Sequence, residues 1–174
     1  MQLSREKPID RIKIGELIEA AGVGRSTFYG HYAGLSDFLQ KSYALMLERA
    51  ARSDFAQGST ASVLPTRAIL RHMAQSDNYG AILRRSREWP RVLAAAQQRI
   101  ETVVEVNLRR AHPQLGQATR SRTAMLVTAG FMALIEDWTA KGRTEAPELL
   151  EAEFNRFAAA VVESSTRYQS ASGS

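Results

Sequence analysis

The sequence predicts an all-α protein, with a small N-terminal helical unit followed by a larger helical body. Three observations carry that reading. Apolar residues recur at helical spacing in one stretch after another. No segment of strand length alternates apolar and polar residues between hairpin turns, and no internal repeat is visible. Of the 174 residues, 44% are hydrophobic and 24% are charged, enough apolar material for a real core at an ordinary surface charge.

The elements follow in order. Ile14, Leu17, Ile18 and Ala21 fall at i, i+3, i+4 and i+7, one face of a short helix, and Gly22 stops it. A second short helix fits Arg25 to Tyr32. The segment "AGLSD" breaks the pattern, and Leu35, Phe38, Leu39, Ser42 and Met46 set up a longer helix. It fades in the polar stretch "SDFAQGSTAS", residues 53–62, which marks the boundary between a domain of residues 1–52 and one of residues 53–170.

In the second domain, a helix is expected from about Val63 to Gln75, with Pro65 tolerated in its first turn. "SDNYG" interrupts before a short piece ending in "ILRRSREW". Pro90 opens a long helix whose stripe is Val92, Leu93, Ala96, Ile100, Val103, Val104, Leu108 and Ala111. After "HPQLGQ" comes a helix from about Ala118 to Lys141, closed by Gly142 and apolar nearly all round: Met125, Leu126, Val127, Phe131, Met132, Leu134, Ile135, Trp138. The last helix runs from about Pro147 to Ser165, with Leu150, Phe154, Phe157, Ala158 and Val161 on one side. The tail "YQSASGS" is expected to be disordered.

Composition excludes several classes. The chain has no Cys, which removes disulfides, thiol catalysis and thiolate metal sites and fits a reducing, cytoplasmic setting. No apolar run reaches membrane-span length, and "MQLSREKPID" has no signal-like apolar stretch, so no membrane partner is expected. The histidines are His31, His72 and His112, and none belongs to an HExxH or Glu-x-x-His pair. There is no GxSxG motif and no phosphate-cradling Gly-rich loop after a strand. Glu136 and Asp137 adjoin but point to different helix faces. No enzyme, metal site or cofactor is expected. The net charge of +5 and a pI near 9.9 favour a polyanionic partner.

The stretch "GVGRSTFYGHY", Gly22 to Tyr32, joins two short helices through a Gly-containing turn, the geometry of a helix-turn-helix. In such a unit the second helix lays its N-terminal residues into the DNA major groove. Arg pairs with guanine edges, Ser and Thr serve several bases, and Tyr, His and Lys suit phosphate oxygens. Arg25, Ser26 and Thr27 stand at the front of that helix. Phe28 and Tyr32, four apart, give it a face to pack inward. Gly30 costs a helix about 1 kcal/mol relative to Ala; it either lets a backbone come close to DNA or is simply tolerated.

"RIKIGELIEAAGVGRSTFYGHYAGLSDFL", residues 11–39, resembles the helix-turn-helix of the tetracycline-repressor-like (TetR/AcrR) transcriptional regulators, and "EKPIDRIKI" looks like that family's link between its first two helices. The all-α remainder, with Trp138 near the end of the penultimate helix, fits the family's ligand-binding and dimerisation domain. The resemblance implies a homodimer on a palindromic double-stranded operator, a repressor released by a small-molecule effector. It places Arg25, Ser26 and Thr27 at the bases with Gly30 beside them, and counts Gly24 among the DNA-binding residues. Tyr29, His31 and Lys13 would sit on phosphates. His72, Met73, Tyr79, Trp89, Asn107, Phe131 and Trp138, which interrupt the apolar stripes, would line an effector pocket. Leu126, Leu134, Phe154, Phe157 and Val161, on the last two helices, would form the dimer seam. The run Arg84, Arg85, Arg87 and Arg91 reads as a solvated face.

Two departures from the family pattern bear on DNA affinity. Only a turn or two of the family's first helix precedes the motif, which would leave Phe38, Leu39 and Ser42 partly uncovered. "AGL", Ala33 to Leu35, lacks the lysines the family usually places there for phosphate contact. The alternative these departures raise is a protein of the same shape that binds ligand and dimerises but has weakened or lost DNA binding.

Overall fold

A computed structural model describes residues 11–56, 63–75 and 87–172. Among them the chain forms seven α-helices and no strand: α1 Ile14–Ala21, α2 Arg25–His31, α3 Leu35–Ala56, α4 Thr66–Gln75, α5 Trp89–Ala111, α6 Gln117–Ala140 and α7 Pro147–Ser172. The all-α expectation holds for the described residues. The expected short piece ending at Trp89 lies mostly outside them.

The described residues divide into two compact units, one within Met1–Met46 and Gln75–Ala96, the other within Leu47–Ala74 and Gln97–Ser174. The first unit is built on Ile12, Leu39 and Val92, with Leu17, Leu35, Phe38, Tyr43 and Trp89 packed around them. Leu39, expected to be partly uncovered, is only 4% exposed because Ile12 and Val92 close over it. Val92 and Trp89 come from the start of α5, a contribution from beyond residue 52 that local periodicity does not reveal. Burial also pushes the Tyr43 phenol up from its ordinary pKa, because the charged form loses water.

The second unit centres on α6 and α7, which run antiparallel. The Phe131 and Phe154 rings lie 4.9 Å apart, Thr123 Oγ1 donates to Ser165 Oγ at 2.8 Å, and Thr119 Oγ1 donates to Gln169 Oε1 at 2.8 Å. The stripe of α5 continues here through the buried Ile100, Val104 and Leu108. α4 is fastened to α7 by polar contacts: Arg67 Nε donates to both Glu151 oxygens, at 2.8 and 3.1 Å, and Thr66 Oγ1 to Asn155 Oδ1 at 3.2 Å.

The turn after α6 takes the left-handed conformation at Gly142 (φ 75°) and at Arg143 (φ 59°). Gly adopts it freely, whereas Arg143 needs compensation. Its N–H donates to the Trp138 carbonyl at 2.9 Å, and its guanidinium donates to the Met73 carbonyl near the end of α4.

Two expectations for α7 are corrected. The tail expected to be disordered is helical through Ser172. Apolar periodicity ends before this segment, but the Thr119–Gln169 contact ties it to α6. The buried stripe is Leu150, Phe154, Ala158 and Val162, whereas Phe157 is 55% exposed and Val161 half-buried. Both sets obey helical spacing, and the antiparallel contact with α6 selects the first.

Candidate nucleic-acid interface

The unit α1–turn–α2 is made by two caps of different kind. Gly22 closes α1 at φ 63°, its N–H bonding the Glu19 carbonyl and that of Val23 the Ile18 carbonyl at 3.2 Å. Gly24 then opens α2 with extended backbone, its carbonyl accepting from Phe28 N–H at 3.0 Å. At the other end, α1 begins with Glu16 Oε2 accepting the Lys13 N–H at 2.8 Å, which leaves the Lys13 side chain exposed.

α2 is anchored through one buried side chain. Phe28 is 4% exposed and meets Tyr32 at 5.2 Å and Phe38 at 6.0 Å between ring centroids. Tyr32 in turn meets Phe38 edge-on at 5.1 Å. This aromatic cluster fixes how α2 lies against α3. Every other residue of α2 is exposed: Arg25, Ser26, Thr27, Tyr29, Gly30 and His31, with Gly24 just before them. Tyr29 shows 55% of its surface although its ring edge touches Phe28 at 5.5 Å. A Cβ on Gly30 would meet nothing within 4 Å, so that position opens outward. A Cβ on Gly15 would stand 3.7 Å from Arg25 Nη2, which places the guanidinium alongside α1.

All eight residues expected at DNA, from Lys13 to His31, are therefore exposed, at the start of α1 and along α2. Their types make a surface of a guanidinium, an ammonium, an imidazole, two small hydroxyls and a phenol, suited to phosphates and base edges. No lysine stands at Ala33–Leu35. Lys41, one turn into α3, is engaged instead with the His31 carbonyl and Asp37, both at 2.9 Å.

The described residues expected to line an effector pocket have different surroundings. Trp89 belongs to the first unit's core. Phe131 is fully buried against Phe154, Trp138 donates its indole N–H to the Glu145 carbonyl at 2.9 Å, and Asn107 donates to the Val63 carbonyl at 3.0 Å. His72 is exposed, Met73 half-buried, and Tyr79 lies outside the described residues. A groove of about 260 Å³ lies elsewhere, on the α6–α7 seam, lined by Thr119, Arg122, Thr123, Leu126, Ser164, Ser165 and Tyr168. The sequence reading missed one further residue. Thr128 is fully buried and its hydroxyl has no hydrogen-bond partner among the described residues. Its position inside an apolar helix gives no warning of that.

The residues expected at a dimer seam separate into three groups. Leu126 and Phe157 are more than half exposed, and Leu134 and Val161 are half-buried. Phe154 is 5% exposed and packs on Phe131. In the cationic run, Arg84 and Arg85 lie outside the described residues, and Arg91 pairs with Glu88 at 3.5 Å. Among the described residues no three His, Asp or Glu side chains are placed to hold a metal, and no helix is long and apolar enough to cross a membrane. No protein-family model, curated protein or solved structure matches the chain.

Proposed function

We propose that this chain is a sequence-reading DNA-binding regulator of the tetracycline-repressor type, acting as a homodimer on a palindromic operator and serving as a repressor. The observation that carries the reading is α2: one buried anchor, Phe28, holds a short helix whose other residues all face solvent. A helix with so little of itself in the core contributes little to folding, and its surface chemistry is that of groove recognition.

In this reading Arg25 pairs with a guanine edge while Ser26 and Thr27 read neighbouring bases. Tyr29, His31 and Lys13 hold phosphates and set the register. Gly30 lets the helix approach the backbone closely. The seam uses Leu126 and Phe157, apolar side chains that a second copy would take out of water. Twofold symmetry then offers two α2 helices to successive major grooves. A small-molecule effector in the second unit favours a state whose α2 spacing no longer matches the operator.

The test is a set of duplex titrations at several salt concentrations. Arg25→Ala should cost about 1–3 kcal/mol at one base pair and relax preference there. Tyr29→Phe and His31→Ala should weaken binding to all sequences alike. If Arg25→Ala changed neither affinity nor preference, α2 would not be the reading helix.

A further inference from the structure

We infer that a second copy of the chain packs antiparallel along α6, in a register fixed by Arg122 of each copy against Glu136 of the other. The inference rests on the homodimer reading above and adds its register.

Between Arg122 and Glu136 the exposed positions of α6 are Met125, Leu126, Ala129, Gly130 and Ala133. The strip thus holds no charge along its length and ends in a cation on one side and a carboxylate on the other. The two charges are fourteen residues apart, nearly four turns, so they share one face about 21 Å long. Ala129 is their midpoint, seven residues from each. A twofold axis beside Ala129 sets two antiparallel copies of α6 with Arg122 opposite Glu136 at both ends. A parallel pairing would oppose like charges at both ends.

Other features point the same way. Neither Arg122 nor Glu136 has an ion pair among the described residues, whereas the neighbouring Asp137 is taken by Lys141 at 2.7 Å and Arg120 lies 3.8 Å from Glu105. A cation towards the N-terminal end of the helix and a carboxylate towards the C-terminal end is the reverse of what the helix dipole favours, so the helix itself gives no reason for the arrangement. The groove beside Arg122 is lined by Thr119, Thr123, Leu126, Ser164, Ser165 and Tyr168 and by no carboxylate, so no like charge opposes an acidic side chain at that cation. Gly130 has nothing within 4 Å of a built Cβ, which leaves room for a second backbone to approach near the midpoint.

Sedimentation equilibrium of the full chain tests the register with Arg122→Glu, Glu136→Arg and the double variant. Each single variant should dimerise about tenfold or more weakly, because like charges then meet at both ends. The double variant should return to within about threefold of the parent, since each swapped pair is again complementary. A dimeric parent whose single variants dimerise equally well would overturn the register and leave the homodimer standing. A double variant no better than the singles would overturn it too. A parent that stays monomeric at high concentration would overturn both readings.

Discussion

Lys41 Nζ donates to the His31 carbonyl oxygen at 2.9 Å, tying the last residue of α2 to the second turn of α3. The same ammonium pairs with Asp37 at 2.9 Å and lies 5.7 Å from the Tyr32 ring centroid. A cation at a helix C-terminus meets the negative end of its dipole. The position of α2 is therefore set from both sides, by Phe28 packing on Phe38 and by this polar clasp.

The clasp makes stability depend on acid. The Ala33 N–H, donating to Asp37 Oδ2 at 2.9 Å, and then the Lys41 ammonium hold the Asp37 carboxyl below its ordinary pKa. A lowered folded-state pKa contributes stability above the unfolded-state value, and that contribution is lost as the pH falls through the folded-state value. Urea midpoints of the parent and Asp37→Asn should therefore differ near neutral pH and converge in acid. A gap that persisted at low pH would show that the charge is not what Asp37 contributes.

Gly30→Ala should separate folding from binding. The helix gains about 0.5–1 kcal/mol from Ala over Gly, and the added Cβ meets nothing in the free protein. The melting temperature should rise while duplex affinity falls, because in the proposed complex the methyl group would stand where the DNA backbone approaches. If affinity were unchanged, Gly30 would not face DNA.

Two phenylalanines three residues apart should behave oppositely. Phe154→Ala removes a ring packed on Phe131 and should cost about 3–5 kcal/mol of folding stability. Phe157→Ala, at 55% exposure, should leave stability nearly unchanged at high dilution but weaken dimerisation. Denaturant midpoints and sedimentation read the two effects separately. A Phe157→Ala chain that dimerised as well as the parent would take Phe157 out of the seam.

These contrasts show where the sequence was legible. α1 and α2 could be read because Ile14, Leu17, Ile18 and Ala21 repeat at helical spacing and Gly22 and Gly24 punctuate the turn. The exposed face of α2 followed from the chemistry of its side chains. Contacts between distant segments were not legible. Nothing local tells that Val92 completes a core with Ile12 and Leu39. Asn107 looked like a polar interruption suited to a ligand, yet the Val63 carbonyl, 44 residues away, already satisfies it. On α7, Phe157 and Val161 fit helical spacing as well as Ala158 and Val162 do, and only the partner helix decides between them.

Thr128 gives an independent check on the second unit. A buried hydroxyl without a partner costs about 1–3 kcal/mol, so Thr128→Val should raise the thermal midpoint of the ligand-free protein. A lower midpoint would show that the hydroxyl is satisfied in solution.

The central claim is that α2 reads DNA sequence as part of a twofold dimer. The most direct measurement is to incubate the full chain with a random-sequence duplex pool at moderate salt and sequence what it retains. The account predicts an enriched palindrome whose half-sites lie about one helical turn or somewhat more apart, and loss of the enrichment with Arg25→Ala. Retention of no preferred sequence by a folded, dimeric chain would contradict it and leave a protein of this shape that does not read DNA.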